Sequence, residues 1–236
     1  MATIRLIPST YSLSNTSYLS ISNASNMYTN IDSTTYATIN HNRNYSTTSY
    51  YIYVKGFNFD DIPENAIINS AIIKVKAKVT SAGSYAPALY NNTTSLNQNL
   101  SGNIGTTTTT STVDITSNWE TYKGYGSNFG IGLQLNRSSF WTASNMNIYG
   151  AEILVDYTVP VYHTVSTSIT GGVLRNPTTA SMTIRDGANY EITFNGNPGY
   201  TLSSMTVNGV EVTPTIKSAP APTLPRYTVS TNYGTY

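Results

Sequence analysis

The run Ile73-Lys74-Val75-Lys76-Ala77-Lys78-Val79 constrains the fold more than any other part of the chain. Successive side chains of a strand point to opposite faces, so this run has one apolar face and one face carrying three ammonium groups. It predicts a strand over 71–80 in an antiparallel sheet whose outer face meets water. Ile73, Val75 and Val79 are expected inside, and Lys74, Lys76 and Lys78 at solvent or an interface. The preceding Asp60-Asp61-Ile62-Pro63-Glu64-Asn65 reads as a turn. Pro63 presets its own φ and pushes Ile62 out of the helical region, while Asn65 and the aspartates tolerate turn geometry. Residues 50–59 form a second strand-like run, so the unit is strand, compact loop, strand.

Further strands are predicted at 3–8, 17–22, 36–42, 85–90, 106–116 and 149–159, with 23–35 a polar loop. Pro87 confines its strand to an edge or a bulge. Residues 91–105 are rich in Asn, Ser and Gly, and a structureless loop of that length is unusual in a compact domain, so a concealed strand is expected there. In 106–116, Val113 and Ile115 are expected inward. Residues 118–122 read as one helical turn with Trp119 packed down as a plug, broken by Gly124-Tyr125-Gly126. Phe129, Ile131, Leu133 and Leu135 then alternate with Gly130, Gly132 and Gln134. The two glycines let something approach the outer face of that strand closely. In 149–159, Ile153, Val155 and Tyr157 share one face, and Glu152 and Asp156 the other. Several short strands separated by turn clusters predict a β-sandwich over 1–159.

At Val159-Pro160 the pattern restarts, because Pro160 cannot donate to a ladder. Residues 160–236 are read as a small separate β domain. Its strands are expected at 163–170, 181–184, 190–194, 201–207 and 210–212, with Asn208-Gly209 the strongest hairpin signal in the chain. The Pro-rich 218–225 interrupts the pattern before 226–230 supplies a last strand; this interrupted closure is expected to leave an edge open to strand addition from a neighbouring chain, the competing reading being that 227–230 pairs within its own domain and seals it.

Two stretches carry resemblances. Phe57-x-Phe59, Ile62-Pro63, Ala66-x-Ile68 and Ser70-Ala71 with the alternating strand resemble the DNRLRE-type, carbohydrate-binding-module-like jelly roll of bacterial surface proteins. The resemblance implies a jelly-roll-like β-sandwich with a surface-binding or assembly role. Gly171-Gly172, Asp186-Gly187, Tyr190-x-Ile192-Thr193-Phe194, Pro198-Gly199-Tyr200 and Ser204-Met205-Thr206-Val207-Asn208-Gly209-Val210 resemble the divergent β-repeat of internalin-like surface proteins. This implies a small β-grasp-like or immunoglobulin-like module, used as a spacer or adhesion unit. The fold class is therefore all-β, a jelly-roll-like sandwich followed by a small repeat domain.

Composition narrows the function. Charged residues make up 10% and the formal net charge is +1, with no basic stripe, which argues against a nucleic-acid partner. Cysteine is absent, so disulfides and thiolate chemistry are excluded. No apolar run approaches the ~20 residues of a membrane-spanning helix, and residues 1–12 lack the charged and apolar regions of a secretory signal. An adhesive β protein without a signal fits a protein made in a bacterial cytoplasm and released by lysis. The alternative is a domain excised from a longer secreted chain, against which Met1 speaks.

No spacing spells a catalytic site. The two histidines, His41 and His163, are read as a sheet or surface residue and a domain-junction contact, neither sharing a cleft with a carboxylate, and no G-x-S-x-G elbow occurs. Asp60, Asp61 and Glu64 are weak candidates for calcium, but they lack the dense D-x-D-x-D spacing, and a self-capping turn is the preferred reading. No cofactor is expected. Trp119, Tyr122, Tyr125, Phe140 and Trp141 form the candidate ligand-binding aromatic surface, flanking the glycine-lined strand, since sugar rings and protein partners both dock on exposed aromatics. Against this, Trp119 and Trp141 also read as core plugs at the ends of the sandwich.

The resulting expectation is a non-enzymatic bacteriophage virion protein: a head decoration, head fibre or tail-fibre-type adhesin. Its partners would be other virion proteins, further copies of itself and cell-surface glycans, without membrane insertion. The alternative is a carbohydrate-binding module or a fragment of a secreted polysaccharide-active protein.

Overall fold

A computed structural model describes residues 1–41, 49–80, 85–135 and 145–212, and the backbone of 215–217 and 226–232. The chain is all-β and divides into two compact units, Met1–Val159 and Pro160–Tyr236.

The first unit contains β1 (Ala2–Leu6), β2 (Thr10–Leu13), β3 (Leu19–Ser22), β4 (Ala37–His41), β5 (Tyr50–Lys55), β6 (Ile67–Val79), β7 (Ala88–Asn91), β8 (Thr94–Asn99), β9 (Thr109–Asp114), β10 (Phe129–Leu135) and β11 (Asn145–Thr158). One sheet has the order β3-β4-β11-β6-β9, with β1 also paired to β11. The other has the order β2-β5-β10-β7-β8. Both are antiparallel throughout. From β4 onward, β4-β11-β6-β9 in one sheet and β5-β10-β7-β8 in the other make the eight-strand path of a jelly roll. The inner faces of both sheets contribute to one continuous core.

The lysine-bearing strand sets the register of the first sheet. Along β6, Ala71, Ile73, Val75, Ala77 and Val79 are buried, and Lys74, Lys76 and Lys78 on the other face are half-buried. Ile131, Leu133, Ile153 and Val155 are fully buried as expected. A slip of one residue would have turned the lysines inward, so burial of one face specifies the pairing.

The lysine face is not bare. Residues 29–33 cross it, tied down by the Ala151 amide donating to the Thr29 carbonyl at 3.1 Å and the Thr29 hydroxyl donating to the Tyr149 carbonyl at 3.1 Å. A Cβ at Gly150 would strike the Thr29 and Asn30 carbonyls, so only glycine lets the segment lie this close. Beneath it, Glu152 is buried, with Arg5 at 3.4 Å and Lys74 at 3.8 Å, and Arg5 reaches Asp32 at 2.7 Å. A carboxylate this deep requires cations beside it.

The motif around residues 57–63 is explained by packing. Phe57, Phe59 and Ile62 are all buried. The short helix α1 (Trp119–Gly124) closes the same region: Trp119 meets Phe59 edge-on at 5.3 Å, and Tyr122 stacks on Phe129 at 4.7 Å. The concealed strand expected within 91–105 is β8, which forms a hairpin with β7. Its turn places Asn92 at φ 55°, a conformation asparagine tolerates. The strand β2 carried no clear alternation, and only its pairing to β5 defines it.

The second unit contains β12 (Tyr162–Ser166), β13 (Gly172–Asn176), β14 (Ser181–Arg185), β15 (Asn189–Gly196), β16 (Thr206–Val207), β17 (Val210–Glu211), β18 (Thr215–Lys217) and β19 (Arg226–Asn232). One sheet has the order β13-β15-β19-β18, β12 pairs with β14, and β16 with β17. The β16–β17 turn has Asn208 at φ 50° and Gly209 at φ 78°, the two positive values its sequence predicts. Three expectations are corrected. First, β19 pairs with β15 of its own unit along its whole length, so the closing strand seals this edge in cis and does not leave it open to a neighbour. Second, the helix that a β-grasp sheet clasps does not occur among the described residues of this unit. Third, only Thr206–Val207 of the strand expected over 201–207 enters a ladder; residues 201–205 pair with no strand.

Candidate functional site

Packing removes Trp119 and Tyr122 from the aromatic surface expected from sequence, Trp119 as the core plug it also read as. Trp119 and Tyr122 retain 4% and 6% exposure and belong to the core, so neither ring offers a face to a ligand. The Tyr122 hydroxyl donates to the Gln98 side-chain oxygen, which satisfies its polar end. Burial holds this phenol above its ordinary pKa. Tyr125 is half-buried against Tyr122 at 6.3 Å. Phe140 and Trp141 lie outside the described residues.

A different aromatic cluster occupies the outer face of the second sheet. Register places Tyr51 and Tyr53 of β5 on the face opposite the buried Ile52 and Val54, and Tyr90 of β7 on the face opposite the buried Leu89. Between them runs β10, which contributes Gly130 and Gly132 to this face. A Cβ at Gly132 would collide with the Tyr90 ring, and one at Gly130 with the Val54 carbonyl. The close approach foreseen for these glycines is therefore made by the chain's own Tyr90, lying across a floor without side chains. Tyr51 and Tyr53 stack at 6.0 Å with planes 10° apart, and Tyr90 meets them at 6.1 and 5.0 Å. Tyr53 is buried by the others, while Tyr51 and Tyr90 remain half-exposed. Burial raises the Tyr53 and Tyr90 phenols above their ordinary range, with the neighbouring tyrosines adding to the effect, so these two stay protonated at neutral pH. At its margin the Lys55 ammonium is held by the Asn92 side chain at 2.7 Å. The result is a rigid, neutral, ring-lined patch bearing hydroxyls, suited to a flat polar ligand.

The remaining candidates divide. Asp60 and Asp61 lie in a single 3-10 turn (Phe59–Asp61) capped by Asn58, whose side chain accepts from the Asp60 amide at 3.3 Å and donates to Asp61 at 2.9 Å. Asp60, Asp61 and Glu64 are all exposed, and among the described residues no three His, Asp or Glu side chains gather as metal ligands. His41 faces the core of the first unit, 5.1 Å from the Tyr50 ring, and is not a surface residue. His163 does find a carboxylate: its Nε2 lies 3.0 Å from Asp186 Oδ1, with the two side chains 47% and 37% exposed. The pair sits at the surface of the second unit, not in a cleft.

The sequence does not by itself assemble the tyrosine patch, because Tyr90 lies far along the chain from Tyr51 and Tyr53. The signal available was the alternation of Tyr51 and Tyr53 with Ile52 and Val54, together with the paired glycines. No protein-family model matches this chain, and no curated protein matches it.

Proposed function

We propose that this chain is a non-enzymatic accessory protein of a bacteriophage particle, a head decoration, head fibre or tail-fibre-type adhesin, which docks to the particle and presents a binding surface to host-surface glycans. The observation that carries the reading is the Tyr51–Tyr53–Tyr90 patch on the outer face of a jelly-roll sheet. Phenol rings stack on sugar rings and their hydroxyls exchange hydrogen bonds with sugar hydroxyls, and a neutral patch suits a neutral glycan. Low charge, with a formal net charge of +1, supports assembly beside other virion proteins and further copies of itself, because little repulsion opposes close approach. The second unit serves in this reading as a spacer or adhesion module.

Mass spectrometry of purified particles, combined with a glycan-binding screen of the isolated chain, tests the proposal. The expected outcome is a fixed copy number per particle, and glycan binding that falls about 2- to 10-fold in Tyr90→Ala, the range that one stacked ring contributes. A chain that is absent from particles and binds no glycan would sink the reading. The same patch also favours the second reading, a carbohydrate-binding module of a secreted polysaccharide-active protein. Glycan binding by a chain absent from particles would select that one.

A further inference from the structure

The second unit holds a cavity of about 520 Å³ lined by residues 164–172 and 200–208 with Ile192, Phe194 and Gly196. Of these, 164–166 belong to β12. Its register with β14 pairs Tyr162 with Arg185, Thr164 with Thr183 and Ser166 with Ser181. The Asp186 amide donates to the Val161 carbonyl at 2.8 Å, and the Thr167 amide to the Ala180 carbonyl at 2.8 Å. Hydrogen-bonded pairs alternate along an antiparallel ladder, so Val161, His163, Val165 and Thr167 direct their N–H and C=O groups at β14. Tyr162, Thr164 and Ser166 direct theirs the other way, and among the described residues no strand receives them. The segment 201–205 lies outside the strands, with its Met205 carbonyl accepting from the Val212 amide at 2.9 Å beside the β16–β17 hairpin. Thr164, Ser166, Leu202 and Ser204 all line the cavity, together with the half-buried Ile192 and Phe194 of β15.

We infer that this cavity is a slot for one extended β-strand donated by another polypeptide chain, paired to the open edge of β12 and seated on Ile192 and Phe194. Three properties of the slot select that occupant. An open strand edge binds backbone with its own N–H and C=O groups, which is how peptides add to sheets. The volume suits it: a strand claims roughly 160 Å³ per residue, from its 3.3 Å rise, its ~4.8 Å spacing and the ~10 Å between packed sheets. The slot thus takes about three residues, matching the three-residue stretch Thr164–Ser166 of β12 that lines it. No side chain lining the slot is charged, so the incoming strand is uncharged, with an apolar residue turned to the floor and hydroxyl-bearing or small residues beside it. Exposed Val161 and Tyr162 extend the apolar surface beyond the slot, and exposed Tyr200 lines it.

The test uses the full chain and an end-blocked nonapeptide, STSVTVSTS, followed by amide resonances in NMR. Saturable shifts are expected at Thr164, Ser166 and residues 201–204, and none with a peptide in which the central threonine is replaced by proline. The Thr164 N–H points away from β14, so Thr164→Pro removes only the open-edge donor and should weaken binding about tenfold while the β12–β14 signals persist. Should that variant fail to fold, Ser204→Lys places a charge at the rim and is expected to weaken binding likewise. The inference is overturned if the peptide gives no saturable shift, if the folded variants bind unchanged, or if maltotriose shifts these amides and the peptide does not. Because the tyrosine patch takes no part, these outcomes do not bear on glycan recognition by the first unit.

Discussion

The two units bury their apolar faces to very different degrees. In the first, the inward residues from Ala71 to Val79 of β6 and from Phe129 to Leu135 of β10 are closed to solvent, and an aromatic group of Phe57, Phe59, Trp119, Tyr122 and Phe129 fills one region of the core. In the second, only Val165 and Ile184 of the described apolar residues are buried, and Ile192 and Phe194 on one face of β15 remain half-open. Both units are read from the same kind of alternating sequence. The difference is size and closure: a small domain buries a smaller share of its surface, and an unfilled slot reduces that share again. The lesson is that alternation shows which face wants cover but not whether cover is present in the same chain.

That contrast predicts two unfolding steps in denaturant, the second unit melting first. Phe129→Ala should destabilise the first unit by about 3–5 kcal/mol, the range for a large aromatic removed from a closed core. Ile184→Val in the second unit should cost about 0.5–1.5 kcal/mol. Urea titration followed by tryptophan fluorescence for the first unit and by NMR for the second separates the steps. A Phe129→Ala effect shared equally by both steps would break the comparison.

A smaller effect is expected on the outer face. Gly132→Val inserts side-chain atoms where the Tyr90 ring lies, and should cost about 1–3 kcal/mol as the ring is displaced. Its signature would be altered tyrosine ring-current shifts with the inner core resonances unmoved. An unchanged tyrosine spectrum would mean that the glycine floor does not position the patch.

The smallest effect is one of pH. Tyr28, Tyr53, Tyr90 and Tyr122 all have phenol pKa values raised chiefly by burial, so the folded state holds these protons more tightly than the unfolded chain does. Their contribution is intact below the ordinary phenol value near ~10 and is lost as pH rises through the higher folded values. Stability of the first unit should therefore fall on the alkaline side, read as a drop in its urea midpoint between neutral and strongly basic buffer. A midpoint that climbs over that interval would contradict the burial of these rings.

Sequence alone determined what depends on neighbours along the chain. The two faces of β6, β10 and β11 follow from period-two alternation, and the β16–β17 hairpin from Asn208-Gly209, because side-chain direction and turn geometry are local properties. The need for a hidden strand in 91–105 was also legible, from length and turn residues together. Tertiary structure decided what depends on which strands become neighbours. Tyr51, Tyr53 and Tyr90 meet only because β10 lies between β5 and β7, and nothing local encodes that order. Trp119 reads from the sequence as a plug on one helical turn, and it does pack on Phe59; Tyr122 reads equally as surface or core, and only the fold stacks it on Phe129, where burying a large ring outweighs leaving it wet. Glu152 reads as an outer-face charge, and only the crossing of residues 29–33 buries it between Arg5 and Lys74. The closing strand β19 likewise found its partner in β15 across the whole second unit, since an edge pairs with whatever complementary backbone the completed fold brings to it.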